Sequence, residues 1–274
     1  NTYFRTMNLF RKILFPFAIL YGLVTALRNS FYDLGIFKSH SFSIPVIAVG
    51  NLSVGGTGKT PQIEYLVRLL EPHYNLAVLS RGYKRKTNGF VLANKGVTAD
   101  DIGDESFQYF QKFPSIHVAV DANRKRGVGQ LLTLDKKPQV VLLDDAFQHR
   151  KVKAGFYILL TAYQDLYTDD FILPMGNLRE SRSGAKRASV VVVTKCPVNL
   201  SEKEQNLIRK KLKLSAEQQL YFSSIQYDDK VYSETENHTV DFIKNSPKLL
   251  VAGIAKPQPF FNYMQNQSDA ILEF

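Results

Sequence analysis

The sequence predicts an α/β fold with a mostly parallel, twisted sheet and helices on both faces. Apolar runs without polar alternation occur at residues 44–50, 76–79, 139–143 and 189–196, which is typical of strands buried on both faces. Helical patterns occur between these runs, as in folds whose helices cover a parallel sheet. The chain of 274 residues is long enough for one large domain or one and a half ordinary ones.

The first apolar run leads into a glycine-rich loop that indicates a P-loop NTPase-like fold. Residues 51–60 read Asn-Leu-Ser-Val-Gly-Gly-Thr-Gly-Lys-Thr, and a helical pattern follows from Pro61. Strand, loop and helix in this order are the context of a Walker A motif, although Ser53 stands where the strict pattern has glycine. We expect Lys59 to reach the β- and γ-phosphates of ATP and the Thr60 hydroxyl to bind Mg²⁺. The predicted nucleotide-binding set is Ser53, Val54, Gly55, Gly56, Thr57, Gly58, Lys59 and Thr60.

The third apolar run ends in two acids, Asp144 and Asp145. In P-loop enzymes an acid at this position helps to hold Mg²⁺, and paired carboxylates are costly unless a cation neutralises them. His149 follows in the same loop, where either a site role or an ordinary surface position is open.

Two charged clusters lie between these strands. Arg81 opens a cationic segment, residues 81–86, which suits either an anionic substrate or a solvated basic loop. Asp104 and Glu105 precede a helical pattern. Acids there serve either as helix caps or as a catalytic base that accepts a proton from a substrate hydroxyl.

Two later segments carry further signals. Residues 173–180 contain a turn and end in the pair Arg179 and Glu180. The fourth apolar run ends in Thr-Lys-Cys-Pro at 194–197, which resembles the guanine-reading Asn-Lys-x-Asp loop of GTPases but lacks its aspartate. This difference argues against guanine specificity.

The N-terminal region contains an apolar stretch at residues 13–27, with Arg11 and Lys12 before it and Arg28 after it. A helix of this length covers roughly 22 Å, which is less than the roughly 30 Å hydrocarbon core of a bilayer. We predict a membrane-associated helix that lies in, or dips into, the lipid interface. A buried core helix and a signal peptide are the alternatives.

The composition narrows the classes of partner. A net charge of +10 favours anionic partners, namely nucleic acid, acidic lipid or phosphorylated substrates, although a merely basic surface is also open. One cysteine, Cys196, excludes an intramolecular disulfide and a zinc cluster of cysteines.

We predict three regions along the chain: residues 1–38 with the membrane-associated helix, a P-loop kinase core at 39–198, and a second, smaller α/β lobe at 199–274. In the last region, residues 203–214 have a helical pattern and residues 219–225 a strand pattern. Residues 1–6 precede Met7 and are expected to be an upstream extension. Residues 270–274 read as the start of a strand without a following turn, so we expect further chain beyond them.

Taken together, these motifs resemble the tetraacyldisaccharide 4'-kinase (lipid A 4'-kinase) family of P-loop kinases. The matching segments occur in family order at residues 45–61, 80–83, 103–105, 144–149, 173–180 and 252–257. Three positions depart from the family's common pattern: Ser106 replaces a proline, Lys84 a glycine and Ala146 a glycine.

The resemblance implies a reaction and a place for it. The family transfers the γ-phosphate of ATP to the 4'-hydroxyl of a tetraacylated glucosamine disaccharide 1-phosphate. That lipid lies in the bacterial inner membrane, so the cytoplasmic face of this membrane is the expected location. The expected partners are ATP, Mg²⁺, the lipid disaccharide 1-phosphate and the membrane surface, without nucleic acid.

The resemblance also implies roles for residues of this chain. The family's catalytic base corresponds to Asp104. The predicted catalytic set is Asp104, Lys59, Asp145 and His149. The predicted substrate set is Arg81, Glu105, Arg124 and Arg179, with Arg124 the weaker candidate. The predicted metal set is Thr60, Asp144, Asp145 and Glu180.

Two competing functions stay open at this point. A membrane-associated P-loop ATPase or GTPase switch shares the loop, although the Thr-Lys-Cys-Pro segment disfavours GTP. A nucleic-acid binder would explain the net charge of +10, but the sequence has no recognisable RNA- or DNA-binding module.

Overall fold

A computed structural model describes residues 11, 13–233, 235–253, 257–267 and 271–273 of the chain. The chain divides into two compact units, Asn1–Ser224 and Ile225–Phe274. The boundary therefore lies later than residue 199, where the sequence analysis placed it. The reason is that the strand Gln219–Ser224 pairs in parallel with Val190–Cys196 and so extends the sheet of the first unit.

The first unit alternates strands and helices. Its strands are Val46–Asn51 (β1), Leu76–Ser80 (β2), Val91–Leu92 (β3), His117–Val120 (β4), Val140–Leu143 (β5), Phe156–Ala162 (β6), Val190–Cys196 (β7) and Gln219–Ser224 (β8). Its helices are Phe15–Asp33 (α1), Lys59–Leu70 (α2), Ala99–Ile102 (α3), Asp104–Lys112 (α4), Arg124–Leu131 (α5) and Glu202–Leu212 (α6), and short 3₁₀ turns lie at Tyr167–Asp169 and Arg182–Arg187.

Within the described residues these eight strands form one sheet in the order β3-β4-β2-β5-β1-β6-β7-β8. The β3–β4 pair is antiparallel and the other pairs are parallel. Strand β1 lies between β5 and β6, with Ala48 opposite Leu143. Because neighbouring parallel strands end at the same edge, the loop after Asn51 and the acids after Leu143 meet there.

Apolar side chains fill both faces of the sheet. On β2, Leu76 and Val78 pack in one cluster with residues of α2 and α4, whereas Ala77 and Leu79 pack in another with residues of α5. A third cluster joins β6 and β7 to α6. The predicted α/β fold, with a mostly parallel sheet and helices on both faces, is confirmed.

Helix α1 has an unusual distribution of side chains. Its exposed residues are apolar, for example Phe17, Leu20 and Leu23, with exposed fractions of 63%, 61% and 63%. Ala18 is buried and Gly22, Thr25 and Asn29 are half-buried, so small and polar residues face the rest of the unit. In the part of the chain that the structure describes, no helix combines the length and apolarity needed to cross a bilayer.

Helix α1 is longer than predicted. It continues to Asp33 because its polar last turns contact the core: Arg28 donates a hydrogen bond to the Gln148 carbonyl, and Arg150 donates to Asp33. Lys12, one of the cations before the predicted helix, lies outside the described residues.

The second unit is small and also mixes helix and strand. It contains β9 (Lys230–Tyr232) antiparallel to β10 (Asn237–Thr239), and β11 (Lys248–Leu250) parallel to β12 (Ile271–Glu273). Its helices are α7 (Val240–Ile243) and α8 (Gln258–Gln267). Strand β12 corresponds to the strand start predicted at 270–274. Residues 254–256 of the predicted 252–257 motif lie outside the described residues.

Candidate active site

The glycine-rich loop after β1 is held by the side chain of the last residue of that strand. Asn51 is fully buried, and its Nδ2 donates to Thr57 Oγ1 at 2.8 Å and to the Gly55 carbonyl at 3.4 Å. Gly58 has φ +85° and forms the N-cap of α2, a left-handed conformation that glycine adopts without strain. The loop therefore has the compact backbone and the following helix N-terminus that bind phosphate groups.

Strand β7 binds the same loop from another side. Thr194 Oγ1 donates to the Thr57 carbonyl at 2.8 Å, and Lys195 Nζ donates to the Gly56 carbonyl at 2.7 Å. Lys195 has φ 59° and lies at an irregularity in the β7–β8 pairing. These two bonds hold the Thr57 and Gly56 carbonyls of the loop against β7.

Asp145 lies at the centre of a cation cluster. Its Oδ1 is 3.7 Å from Lys59 Nζ, and Arg179 Nη1 lies 3.0 Å from both of its carboxylate oxygens. Asp145 has φ 46°, which turns the chain sharply after β5. The structure thus brings together Lys59, Asp145 and Arg179, three residues predicted from separate motifs.

Asp144 is buried, with 1% of its surface exposed. Burial, followed by the charges of Glu105 and Asp145, raises the pKa of its carboxyl to about 7. Its Oδ2 accepts a hydrogen bond from the Tyr109 hydroxyl at 3.3 Å, while Oδ1 has no hydrogen-bond partner among the described residues.

This environment fits a divalent cation. A buried carboxylate with a free oxygen and two acids beside it is stabilised in its charged form by a bound metal ion. Among the described residues, no group of three or more histidine, cysteine or acidic side chains is placed to hold a metal. Magnesium in nucleotide enzymes takes one or two protein ligands besides phosphates and water, so the set fits Mg²⁺ bound together with a nucleotide.

Asp104 and Glu105 are exposed at the first turn of α4. The turn is placed by Gly103, which has φ +84° and where an added Cβ would lie 2.9 Å from the Tyr83 carbonyl. Glu105 is close enough to Asp144 to affect its pKa. The predicted base and the acid pair therefore share one end of the sheet.

His149 lies close enough to several cations, including Arg81, for their charges to affect its pKa. Burial, followed by the charges of Arg124, Lys151, Arg28 and Arg81, lowers the pKa of His149 to about 4. His149 is therefore neutral at physiological pH, and its buried Nε2 has no hydrogen-bond partner among the described residues. Arg81 is exposed after β2, as a substrate-facing cation must be.

Arg124 does not lie on the surface as predicted. It is 2% exposed, and its guanidinium donates to the Asp121 carbonyl at 2.6 Å and to the Asp144 carbonyl at 3.0 Å. Burial lowers its pKa to about 10, so it stays cationic at neutral pH. Arg124 joins the ends of β4 and β5 and holds the backbone of Asp144 in place, a role that its exposed sequence context did not indicate.

Glu180 is also buried, with 3% of its surface exposed. Its carboxylate accepts two hydrogen bonds from Arg187, at 3.0 and 2.8 Å, one from Asn29 at 2.7 Å and one from Gln148 at 3.0 Å. Both oxygens are thus bound by protein groups in this structure, and its assignment as a metal ligand stays a prediction.

A cavity of about 300 Å³ lies between α1, the N-terminus of α5 and the chain after β5. It is lined by Arg28, Ala122, Asn123, His149, Arg150 and Lys151. Asn123 caps α5, so the cavity combines three cationic side chains with a helix N-terminus. Such a cavity is suited to an anionic group.

Comparison with known proteins identifies the family. The model of the tetraacyldisaccharide-1-P 4'-kinase family (LpxK) matches residues 10–273. The tetraacyldisaccharide 4'-kinase of Flavobacterium johnsoniae is 66% identical over 268 residues, which cover 98% of this chain and 79% of the relative. The one of Bacteroides thetaiotaomicron is 48% identical over 272 residues, which cover 95% of this chain and 71% of the relative.

The chain belongs to the tetraacyldisaccharide 4'-kinase family. Its structure also superposes on crystalline Aquifex aeolicus LpxK in complex with ATP, with a TM-score of 0.80 and 30% identity over 97% of this chain and 82% of that one. The predicted resemblance and the kinase class of the enzyme are confirmed.

Two departures from the common kinase pattern have structural explanations. Ser106, at the usual proline position, is buried and shares a hydrogen bond with Ser80 at the end of β2. Ala146, at a usual glycine position, is buried in the cluster that contains Leu79 and Val128, so its methyl group packs away from solvent.

Tyr109 is a site residue of this kinase that sequence reasoning missed. It is fully buried in α4, its hydroxyl donates to Asp144, and it also interacts with the Thr60 side chain. Burial, followed by the charge of Asp144, raises its pKa, so it is a hydrogen-bond donor at all physiological pH values. Its place in the helical pattern signalled a core aromatic residue, and nothing in the pattern distinguished it from Phe107 or Phe113.

Proposed function

We propose that this chain transfers the γ-phosphate of ATP to the 4'-hydroxyl of tetraacyldisaccharide 1-phosphate in lipid A biosynthesis. The observation that carries the proposal is the meeting of three motifs at one end of the sheet in a chain of this family. Lys59 of the P-loop contacts Asp145, and Glu105 of the Asp-Glu turn affects the pKa of Asp144.

The P-loop binds the triphosphate of ATP. Its N–H groups and the N-terminus of α2 provide positive potential, and Lys59 neutralises the phosphate charge. The Lys59 ammonium lies 3.7 Å from Asp145 Oδ1, so the lysine that would bind the phosphates is next to a proposed metal-binding acid. Positioning and charge neutralisation supply most of the catalysis in phosphoryl transfer.

Thr60, Asp144 and Asp145 would hold Mg²⁺, directly or through water. A magnesium ion at this position neutralises the charge that develops on the phosphate oxygens. Tyr109 orients the Asp144 carboxylate through its hydroxyl, and Arg124 fixes the backbone of the same residue. Glu180 stays a predicted member of this set, and its oxygens accept hydrogen bonds from Arg187, Asn29 and Gln148.

Asp104 acts on the acceptor. It is exposed at the start of α4, where its carboxylate accepts a hydrogen bond from the 4'-hydroxyl and takes the proton during transfer. Glu105 keeps the local potential negative beside the metal acids. Arg81, which is exposed on the neighbouring loop, contacts the anionic acceptor.

The basic cavity fits the phosphate group that the acceptor already carries. Arg28 and Lys151 contribute positive charge, and the neutral His149 offers a ring nitrogen for a hydrogen bond. Arg28 belongs to α1, so the cavity lies where the apolar helix meets the core. An acceptor with its acyl chains along α1 therefore has its polar headgroup next to the cavity.

We propose that the enzyme works on the cytoplasmic face of the inner membrane, with the apolar face of α1 against the lipid. Exposed large apolar side chains on one helix mark a lipid-contacting surface, and cations near the ends of such a helix suit the headgroup region. The lipid acceptor and ATP then meet at the same surface.

Transfer of radiolabelled γ-phosphate from ATP to tetraacyldisaccharide 1-phosphate in detergent micelles tests the reaction. We expect labelled lipid that requires ATP, Mg²⁺ and the 4'-hydroxyl, and an acceptor with this hydroxyl blocked is the control. Hydrolysis of ATP without labelled lipid would favour a nucleotide switch instead.

Co-sedimentation with vesicles tests the location. We expect Leu20→Glu and Leu23→Glu together to lower vesicle binding at least about tenfold, because two apolar side chains on the proposed lipid-facing surface become charged. Leu207→Glu is the matched control, since Leu207 is 58% exposed on α6. Equal loss of binding in the control would show that charge, rather than the face of α1, determines the result.

A further inference from the structure

The half-buried face of α1 lies along the chain segment formed by residues 172–180. Where α1 comes closest, an added Cβ on Gly22 would lie 3.3 Å from Ile172 Cδ1. Three polar contacts run along the same line: Arg11 Nη1 to Asn177 Oδ1 at 3.2 Å, Tyr21 Oη to the Arg179 carbonyl at 2.9 Å, and Asn29 Nδ2 to Glu180 Oε2 at 2.7 Å. The helix thus contacts this segment at Ile172, Arg179 and Glu180, and Arg11 just before the helix contacts Asn177.

The 172–180 segment also pairs with the start of the P-loop. The Val54 N–H donates to the Asn177 carbonyl at 2.8 Å, and the Arg179 N–H donates to the Leu52 carbonyl at 2.7 Å. Ser53 and Leu178 form an antiparallel bridge between these two bonds. The segment therefore lies between α1 and the nucleotide loop and contacts both.

The same segment carries Arg179, whose guanidinium contacts the acid pair. Arg179 Nη1 binds both oxygens of Asp145 at 3.0 Å, and the following residue, Glu180, accepts a hydrogen bond from Gln148 of the loop after β5. A shift of the segment along α1 would move the Arg179 guanidinium relative to Asp145 and Lys59.

We propose that Tyr21 and Asn29 of α1 are positioning residues for phosphoryl transfer, which hold the 172–180 segment against the P-loop and Asp145. This inference rests on the proposed kinase reaction. It gives α1 two functions on two faces. The apolar face contacts lipid, and the small and polar face sets the geometry of the catalytic acids.

The distribution of residues along α1 supports this division. A helix that served only as an anchor has no need for a polar face toward the protein, since apolar packing would hold it equally well. Asn29 instead donates to a carboxylate that is 3% exposed, and a hydrogen bond to a buried charge is costly to remove.

The test uses Tyr21→Phe and Asn29→Ala in the full chain, with a short-chain disaccharide 1-phosphate as acceptor below its micelle concentration. We expect kcat to fall about tenfold in each variant, which corresponds to the loss of one hydrogen bond that orients a charged group. We expect the KM for the acceptor and binding to vesicles to stay unchanged, because the apolar face is intact. Asn29→Asp places a carboxylate against Glu180 and is expected to lower kcat further.

Thr25→Val is the matched control. Its hydroxyl donates to the Tyr21 and Gly22 carbonyls of its own helix, so its removal leaves the 172–180 segment in place and kcat at the wild-type value. Tyr21→Phe keeps the aromatic packing, and thermal unfolding of each variant checks that the fold is intact.

Two outcomes would overturn the inference. One is wild-type kcat in folded Tyr21→Phe and Asn29→Ala with the soluble acceptor. The other is a loss that appears only with micellar acceptor and follows vesicle binding, which would make α1 an anchor alone. Failure of the kinase proposal itself is distinguishable, because the wild-type chain would then not phosphorylate either acceptor.

Discussion

The nucleotide side and the acceptor side of the candidate site differ in how their residues are held. On the nucleotide side, Thr194 and Lys195 bind carbonyls of the P-loop. On the acceptor side, Arg81, Asp104 and Glu105 are exposed. Buried, hydrogen-bonded groups keep their geometry without a ligand, whereas exposed charged side chains are fixed mainly when they bind a partner. From this comparison we infer that the proposed nucleotide side is preformed by the fold and that the acceptor completes its own side of the site.

Removal of the P-loop lysine has the largest expected effect and tests the nucleotide side. Lys59→Ala should lower kcat by about 10³-fold, because the phosphates lose their neutralising side chain and Asp145 loses a partner. Transfer of labelled phosphate to the lipid measures this change. Lys210→Ala, at an exposed position of α6, is the control and should keep wild-type activity. Comparable turnover in the two variants would mean that the loop does not hold the transferred phosphate.

Substitutions of the two exposed acids, Asp104 and Glu105, test which of them is the catalytic base. Asp104→Asn should lower kcat by about 10²- to 10⁴-fold while ATP affinity stays the same, because a general base acts only in the chemical step. Glu105→Gln should have a smaller effect, since its charge acts on the pKa of Asp144 rather than on the acceptor. Single-turnover kinetics together with equilibrium ATP binding distinguish the two. A larger loss in Glu105→Gln would exchange their roles.

Asp144→Asn tests the cost of the buried acid on the nucleotide side. Transfer should fall about 10²-fold because a metal-facing carboxylate is lost. The free protein, however, should become more stable at pH 8. The folded pKa of Asp144, about 7, lies above its ordinary value of 3.8, so the folded state holds the proton more tightly than the unfolded state. The stability that this proton contributes is present below pH 3.8 and is lost as pH rises through 7.

Denaturant unfolding of the metal-free protein at pH 4 and pH 8 measures this effect. Relative to the wild type, the variant's free energy of unfolding should rise by about 1–4 kcal/mol between these values, which follows from the size of the pKa shift. A constant difference between the two proteins at both pH values would show that Asp144 is not destabilised by burial.

The nucleotide side was more predictable from the sequence than the acceptor side. The P-loop is continuous in the chain, and its strand, glycines, lysine and helix are each recognisable by local pattern. Asp144 and Asp145 follow a strand, so their place at the sheet edge follows from parallel pairing. Lys59 and Asp145 do meet as these patterns indicated.

The remaining features depend on contacts between segments far apart in the chain. The burial of Arg124 follows from bonds to the ends of two different strands, and Tyr109 reaches Asp144 from another helix. Local periodicity carries no information about such contacts. The boundary of the second unit was misplaced for the same reason, because the pairing of β8 with β7 is not visible in the residues of β8 alone.

The smallest expected effect concerns the brace from β7, by which we mean the hydrogen bond from Lys195 to the P-loop carbonyl of Gly56. Lys195→Met removes the hydrogen bond to the Gly56 carbonyl, which has a length of 2.7 Å, and leaves the side-chain volume similar. Because one hydrogen bond contributes about 1 kcal/mol, the KM for ATP should rise about fivefold, with the KM for the lipid acceptor unchanged. Steady-state kinetics with each substrate varied in turn provide the measurement. Lys213→Met is the matched control, since this lysine also has a positive φ, 51°, but lies at the end of α6. A change in the acceptor KM instead would show that the brace supports both sides of the site, and the contrast between a preformed nucleotide site and a ligand-completed acceptor site would then fail.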